Sequence, residues 1–375
     1  MFADAFRAKK VFITGHTGFK GSWLTIWLHR LGARVSGYAL PPPTEPSNFV
    51  ASRVEELLEH HYLHDVRDVD ALENAIREVD PDVIFHLAAQ ALVKLSYEKP
   101  RDTFETNLMG TVNVLDVVHR VGRPRVCVMI TSDKSYENKE VVWGYREVDE
   151  MGGYDPYSAS KGCAELAISA MRRSYFHPDK LSQHRIKVAS TRAGNVIGGG
   201  DWALDRIMTD VMRSISSGRP VEVRSPDSVR PWQYVLEPLS GYLTLAAKMM
   251  ASDDPALLSA WNFGPMVGNE IPVKELVEMV IRDYGEGTWK DTSDPGQRHE
   301  ARLLRLAIDK AVWDLGWRPR WGPDRAVDHL AKWYRKFYHG GEGQMRAQCE
   351  HDIQDYENSP FIGEVVPLTE AAPAR

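Results

Sequence analysis

Along the first half of the chain the apolar positions switch repeatedly between two patterns. Short continuous apolar runs of strand length alternate with longer stretches whose apolar residues recur on one helical face. Val11-Phe12-Ile13 is the first run, an apolar helix from Ser22 to Leu31 follows, and a second strand, Ala33 to Leu40, begins at Gly32. A third strand lies around His61-Tyr62-Leu63-His64 and ends at Asp65-Val66, and a helix covers Val69 to Glu78. Asp82 to Gln90 is a buried fourth strand that runs out into Leu87-Ala88-Ala89. The pattern continues with a helix from Thr103 to Val121, a strand at Arg125 to Ile130, a helix from Asp155 to Tyr175 and a sixth strand at Ile186 to Thr191. This alternation predicts an α/β fold with a doubly wound parallel sheet of the Rossmann type.

After Thr191 the period breaks. A helix is expected at Asp205 to Ser217, short strands at Pro220 to Val223 and Ser228 to Val235, and helices at Pro238 to Met250, Val273 to Tyr284 and Pro323 to Phe337. The expected division is a first domain at 1–191, with 235–262 returning to it, and a smaller α/β lobe at 192–234 and 263–339. The stretch 340–375 mixes glycine, charge and proline, and is expected to be an extended or mobile tail.

Composition narrows the function classes. The chain has 375 residues, enough for a large core, with 26% charged residues and a net charge of -6. No apolar run approaches a bilayer span, so neither a membrane nor a nucleic-acid polyanion is the expected partner. Met1 to Lys10 lacks the features of a secretory signal, and Cys127, Cys163 and Cys349 are far apart with no CxxC pair. A reducing cytoplasm and no structural metal are expected, with Cys127 and Cys163 as buried packing.

The chemistry begins where the first strand ends, at Thr14-Gly15-His16-Thr17-Gly18-Phe19-Lys20-Gly21. A glycine-rich turn that leaves a buried strand and opens a helix lets the backbone lie against a pyrophosphate, which meets unpaired N–H groups and the positive helix end. Gly15, Thr17, Gly18, Phe19, Lys20 and Gly21 are therefore candidate dinucleotide contacts, as are Leu87, Ala88 and Ala89 at the fourth strand's end, where small residues let a flat ligand lie close. An acid about 20 positions on would hold the adenosine ribose. The second strand instead ends Gly37-Tyr38-Ala39-Leu40, so side chains alone leave NAD and NADP both open.

Two further clusters suggest catalysis. Thr131-Ser132-Asp133-Lys134 sits at the end of the fifth strand, where a parallel sheet lines its ligand crevice. Tyr157 and Lys161 are four apart on one helical face. An ammonium there favours phenolate, lowering a pKa that starts near ~10. Arg192, at the end of the sixth strand, is expected only to pair with an acid.

Taken together, TGHTGFKG, HLAAQ, TSDK, DPYSASK and RAGNVIGGGDW resemble the extended short-chain dehydrogenase/reductase family, over about residues 8 to 335. Within it the likeness is to nucleotide-sugar 4,6-dehydratases. GHTGFKGSWL, the proline-rich Pro41 to Pro46 and Val229-Arg230-Pro231-Trp232-Gln233 look like those that use CDP-glucose. The resemblance implies NAD as cofactor, a nucleotide-sugar substrate, and dehydration of CDP-glucose to a 4-keto-6-deoxy sugar. It also implies a homodimer, or a tetramer, built on the helices Thr103 to Val121 and Tyr157 to Tyr175. By the same likeness the catalytic set is Ser132, Asp133, Lys134, Tyr157 and Lys161. Asp65, Val66 and Asn107 join the cofactor contacts, and Asn195, Arg230, Arg298 and His299 bind substrate. Many dehydratases have glutamate where this chain has Lys134, which could serve as the base that removes the sugar's C5 proton or as a cation paired with Asp133. A 4-epimerase would need Tyr157 and Lys161 without the acid at Asp133. A silent nucleotide-binding protein would show damage at those positions. Trp313, Trp317, Trp321 and Trp333 could form an interaction surface, although aromatics on helices are usually core.

Overall fold

The computed structural model describes residues 2, 4–293, 303–340 and 345–363. Its centre is one seven-stranded sheet. The strands are β1 (Lys10–Thr14), β2 (Arg34–Ala39), β3 (Leu58–Leu63), β4 (Val83–His86), β5 (Val126–Ile130), β6 (Lys187–Arg192) and β7 (Ala260–Asn262). They run in the order β7-β6-β5-β4-β1-β2-β3, every pair parallel. Covered on both faces, β4 and β5 are buried at every residue, which is why they read as unbroken apolar runs. The order turns back between β1 and β4, so the crevice at their carboxyl ends is where such a sheet takes its ligand.

Helices flank both faces, and the chain leaves and re-enters the sheet. After β6 it builds the pairs Val196–Ile197 with Gln233–Tyr234, Val229–Arg230 with Ile271–Pro272, and Val221–Val223 with Trp289–Asp291. The helix Leu236–Ala251 then leads to β7. Trp317, Trp321 and Trp333 are buried in the core, while Trp313 is 81% exposed.

Three expectations are corrected. The helix expected over Thr103 to Val121 is Pro100–Phe104, one π turn at Glu105–Met109, then Gly110–Val121. Cys127 is buried as expected, whereas Cys163 is partly exposed. The stretch after Gly340 contains a helix, Met345–Asn358, rather than an extended tail. Met345, Cys349, Ile353 and Tyr356 fall on one face at spacings of four, four and three, and all are buried. Much of what holds this helix is polar. Tyr234 donates to Asp352 Oδ2 at 2.8 Å, His329 Nδ1 meets Asp352 Oδ1 at 3.0 Å, and Tyr356 donates to Glu237 Oε2 at 2.6 Å. Trp27 Nε1 reaches Glu357 at 2.9 Å.

Candidate active site

The glycine turn forms because only glycine fits it. Gly15 has φ +78°, and a Cβ there would lie 2.7 Å from the Ala88 nitrogen; at Gly21 it would lie 2.2 Å from the Gly15 oxygen. The ends of β1 and β4 therefore meet backbone to backbone, with Leu87 N donating to the Thr14 carbonyl at 3.0 Å. Gly18 caps the helix Phe19–Arg30 without a side-chain hydrogen bond, leaving first-turn N–H groups to an anion. Thr17 is spent on the Leu40 carbonyl, at 2.8 Å. This cradle fits a dinucleotide pyrophosphate.

Other expected cofactor residues have structural partners. Asp65 grips Arg67 with both oxygens, and Asp68, not Asp65, caps the next helix. Val66 packs against Gly110, where a Cβ would meet it at 2.7 Å. Asn107, on the π turn, is buried. Its amide donates to Gln90 O at 3.0 Å and to Ser160 Oγ at 2.8 Å, and its oxygen accepts from Gln90 N at 2.8 Å. It clamps the end of β4 to the helix Pro156–Ser174.

Across the crevice, Ser132 stands two residues beyond β5 and caps the 3-10 turn Asp133–Ser135, accepting from Lys134 N at 3.2 Å and donating to Asp133 Oδ1 at 2.9 Å. Ser132, Asp133, Tyr157 and Lys161 are all buried. Burial pushes the Tyr157 phenol up to about 12, against the pull of a hydrogen bond with Ser132. This differs from the sequence expectation of a lowered phenol: the cost of burying an anion outweighs its neighbours in the protein alone. Burial brings the Lys161 amine down to about 8, against the opposing charge of Glu165. Lys134 is the exception in the group: it is exposed, and its side chain makes no hydrogen bond or ion pair among the described residues.

Asp133 keeps its place because Gly194 lacks a side chain: a Cβ there would sit 1.8 Å from Asp133 Oδ2. Together with Pro231, Gln233, Gly264 and Leu306 they line a recess beside the crevice. Asn195 follows Gly194 at φ +46°, and Arg230 precedes Pro231, with Nη1 donating to the Val229 carbonyl at 3.1 Å. Arg298 and His299 lie outside the described residues.

Two cations are placed where sequence reasoning did not put them. Lys20 is brought down to about 8 by burial and by Arg206, with Asp133 opposing, so its amine belongs to the catalytic cluster as well as to the glycine turn. Arg206 donates to Asp201 Oδ2 at 2.6 Å, which holds its pKa up, and its charge pulls on Tyr157. Arg206 lay inside the helix expected at Asp205 to Ser217 with nothing to mark it, whereas the observed helix, Ile207–Ser216, begins just after it. Arg206 follows the glycine run Gly198-Gly199-Gly200, which lies so close to Trp333 that a Cβ on Gly199 would meet that ring at 2.0 Å. Lys20, Lys161 and Arg206 against Asp133 and Asp201 give a site suited to a diphosphate and a developing oxyanion.

Comparison with known proteins agrees with this geometry. Residues 11–262 match the NAD dependent epimerase/dehydratase family. The chain is 47% identical over 350 residues to the CDP-glucose 4,6-dehydratase of Salmonella typhimurium, covering 93% of this chain and 96% of that one. It is 27% identical to a GDP-mannose 4,6-dehydratase of Yersinia enterocolitica, over 74% of this chain and 72% of that one. The fold is shared with an NAD-bound dTDP-glucose 4,6-dehydratase from Streptomyces venezuelae, with a TM-score of 0.74 at 20% identity, 87% of this chain and 97% of that one being covered. The glycine cradle, the buried tyrosine and lysine on one helix, and the extent of these matches make the chain a member of the NAD dependent epimerase/dehydratase family.

Proposed function

We infer that the chain is an NAD-dependent CDP-glucose 4,6-dehydratase, which converts CDP-D-glucose to CDP-4-dehydro-6-deoxy-D-glucose and water. The observation that carries this reading is the 47% identity across 93% of the chain to an enzyme of that activity. Asp133, directly after Ser132, supports dehydration over the 4-epimerase reading, since epimerisation requires no acid there.

Gly15, Gly18 and Gly21 would hold the cofactor's pyrophosphate, with Lys161 near its nicotinamide end. Bound NAD supplies a reversible hydride acceptor, which the sugar reduces at the start and reoxidises at the end. Tyr157 as phenolate takes the proton of the 4-hydroxyl, and Ser132 and the charge of Arg206 act in its favour. A ketone at C4 makes the C5 hydrogen acidic. Lys134, as a neutral amine, takes that proton while Asp133 gives one to the departing 6-hydroxyl, so a C5–C6 double bond forms and water leaves. Exposure leaves the Lys134 side chain able to swing onto a bound sugar. Arg230, Asn195 and Arg206 take the substrate diphosphate, for which a guanidinium fork is suited.

We further propose a cytoplasmic homodimer joined through Gly110–Val121 and Pro156–Ser174. Among the described residues no helix is long and apolar enough to cross a membrane, and Leu166, on the second of these helices, is 60% exposed. Purified protein given CDP-glucose should form a 4-keto-6-deoxy sugar with no net NADH. An epimerised hexose as sole product overturns the dehydratase reading.

A further inference from the structure

Lys161 is buried, yet its amine has no hydrogen-bond partner among the described residues. Around it stand Glu165 and Tyr157 on its own helix, His86 from β4 and Lys20 from the glycine turn, the last two near enough to feel its charge. His86 is neutral, since burial and Lys161 hold it down near about 3. Lys20 is another cation, and Asp133 and Asp201 are the carboxylates that act on it. The carboxylate acting on Lys161 is Glu165, one helical turn further on.

Glu165 is itself fully engaged. Thr131 Oγ1 donates to Oε1 at 2.5 Å, while Ser190 Oγ and Arg192 Nη2 donate to Oε2 at 2.9 and 2.8 Å. Although burial pushes its carboxyl up, Arg192 and the two hydroxyls hold it below the usual range, so it is an anion. Arg192 is thereby paired with an acid, as its place at the strand end suggested, and its Nη1 goes on to Tyr136, which donates to Asn262 on β7. Thr131 immediately precedes Ser132. One carboxylate thus ties the catalytic helix to β6 and to the end of β5 that carries the hydroxyl and the acid.

We propose that Glu165 is a positioning residue for the reaction: from one helical turn beyond Lys161 it ties the catalytic helix to β6 through Ser190 and Arg192, and through Thr131 it fixes the strand end bearing Ser132 and Asp133. The proposal rests on Lys161 being part of the site, but not on which sugar the enzyme takes.

The test is a titration of cofactor-free protein labelled with carbon-13 at the lysine ε position, with the Lys161 signal identified by its loss in Lys161→Arg. Its midpoint should lie near about 8. Glu165→Gln should lower that midpoint by about one unit, a tenfold loss of proton affinity, and Glu165→Asp should restore most of it. Should Glu165→Gln not fold because Arg192 is left unpaired, Glu165→Gln with Arg192→Met removes both buried charges, and the midpoint should still fall. In turnover, the loss in Glu165→Gln should reach about tenfold near pH ~8.5 and stay under about threefold near pH ~6.5, because the ammonium is lost earlier as pH rises. An unchanged Lys161 midpoint, or the same loss at every pH, overturns the proposal. Failure on CDP-glucose alone leaves the titration unaffected and counts only against the substrate.

Discussion

At the scale of single residues, the site divides by how its members are held. Tyr157, Ser132 and Asp133 are fixed by burial, the last two also by their mutual hydrogen bond, whereas Lys134 is attached only through its backbone. Lys134→Ala should therefore leave C4 oxidation measurable, as hydrogen–deuterium exchange or transient NADH absorbance, while lowering water loss by about 10²-fold or more, the worth of a general base. Turnover equal to the parent would remove that role from Lys134. Arg206→Ala should raise KM for the nucleotide sugar by about tenfold or more, as expected for a charge-assisted contact of ~1.5–3 kcal/mol, and steady-state kinetics at fixed NAD would read it. The glycine turn and the pair Tyr157–Lys161 were legible in the sequence because their spacing is local and geometric. Arg206 was not, because its approach to Tyr157 depends on a loop folding against Trp333, more than a hundred positions away. Phenol acidity was misjudged for a related reason: the cost of desolvation appears only once the burial of Tyr157 is known.

Whole elements were legible where the core lies on both sides of them. The parallel strands and the helices beneath them stand close to where apolar periodicity placed them. The π turn at Glu105–Met109 left no trace in that periodicity, although it carries the Asn107 clamp. The helix Met345–Asn358 was hidden because its four apolar anchors are outnumbered by charged and amide residues, several of which make the docking contacts. Its Tyr356→Phe variant should lose about 1–3 kcal/mol, since Glu237 Oε2 would remain buried without that donor. Chemical denaturation with unchanged m-value would measure the loss. In the recess beside Asp133, Gly194→Ala should spare the fold more than the chemistry. The added methyl occupies the place of the Asp133 carboxylate, so dehydration should fall far more than dinucleotide affinity, as product assays and calorimetry would show.

For the molecule as a whole, two buried histidines tie stability to pH. His16 is held down near about 3 by burial and by His61, and His86 near about 3 by burial and by Lys161. Unfolding frees both to take up protons below their ordinary value of 6.5, so the unfolded state binds more protons and stability falls as pH drops from about 6.5 towards about 3. Each can add up to about 1.4 kcal/mol per pH unit to that slope within the window. Melting temperatures between pH ~7 and ~4.5 should show the decline, and His16→Phe should flatten it; the same slope in that variant would mean that His16 is already charged in the folded state. One last feature bears on how the chain is made. Trp27, Tyr234, Glu237 and His329 all find partners on Met345–Asn358, the final described helix. Ribosomes deliver that segment after everything it fastens, so the interior stays unsealed until that helix has emerged, and a product stalled or clipped ahead of it would be bait for chaperones and proteases.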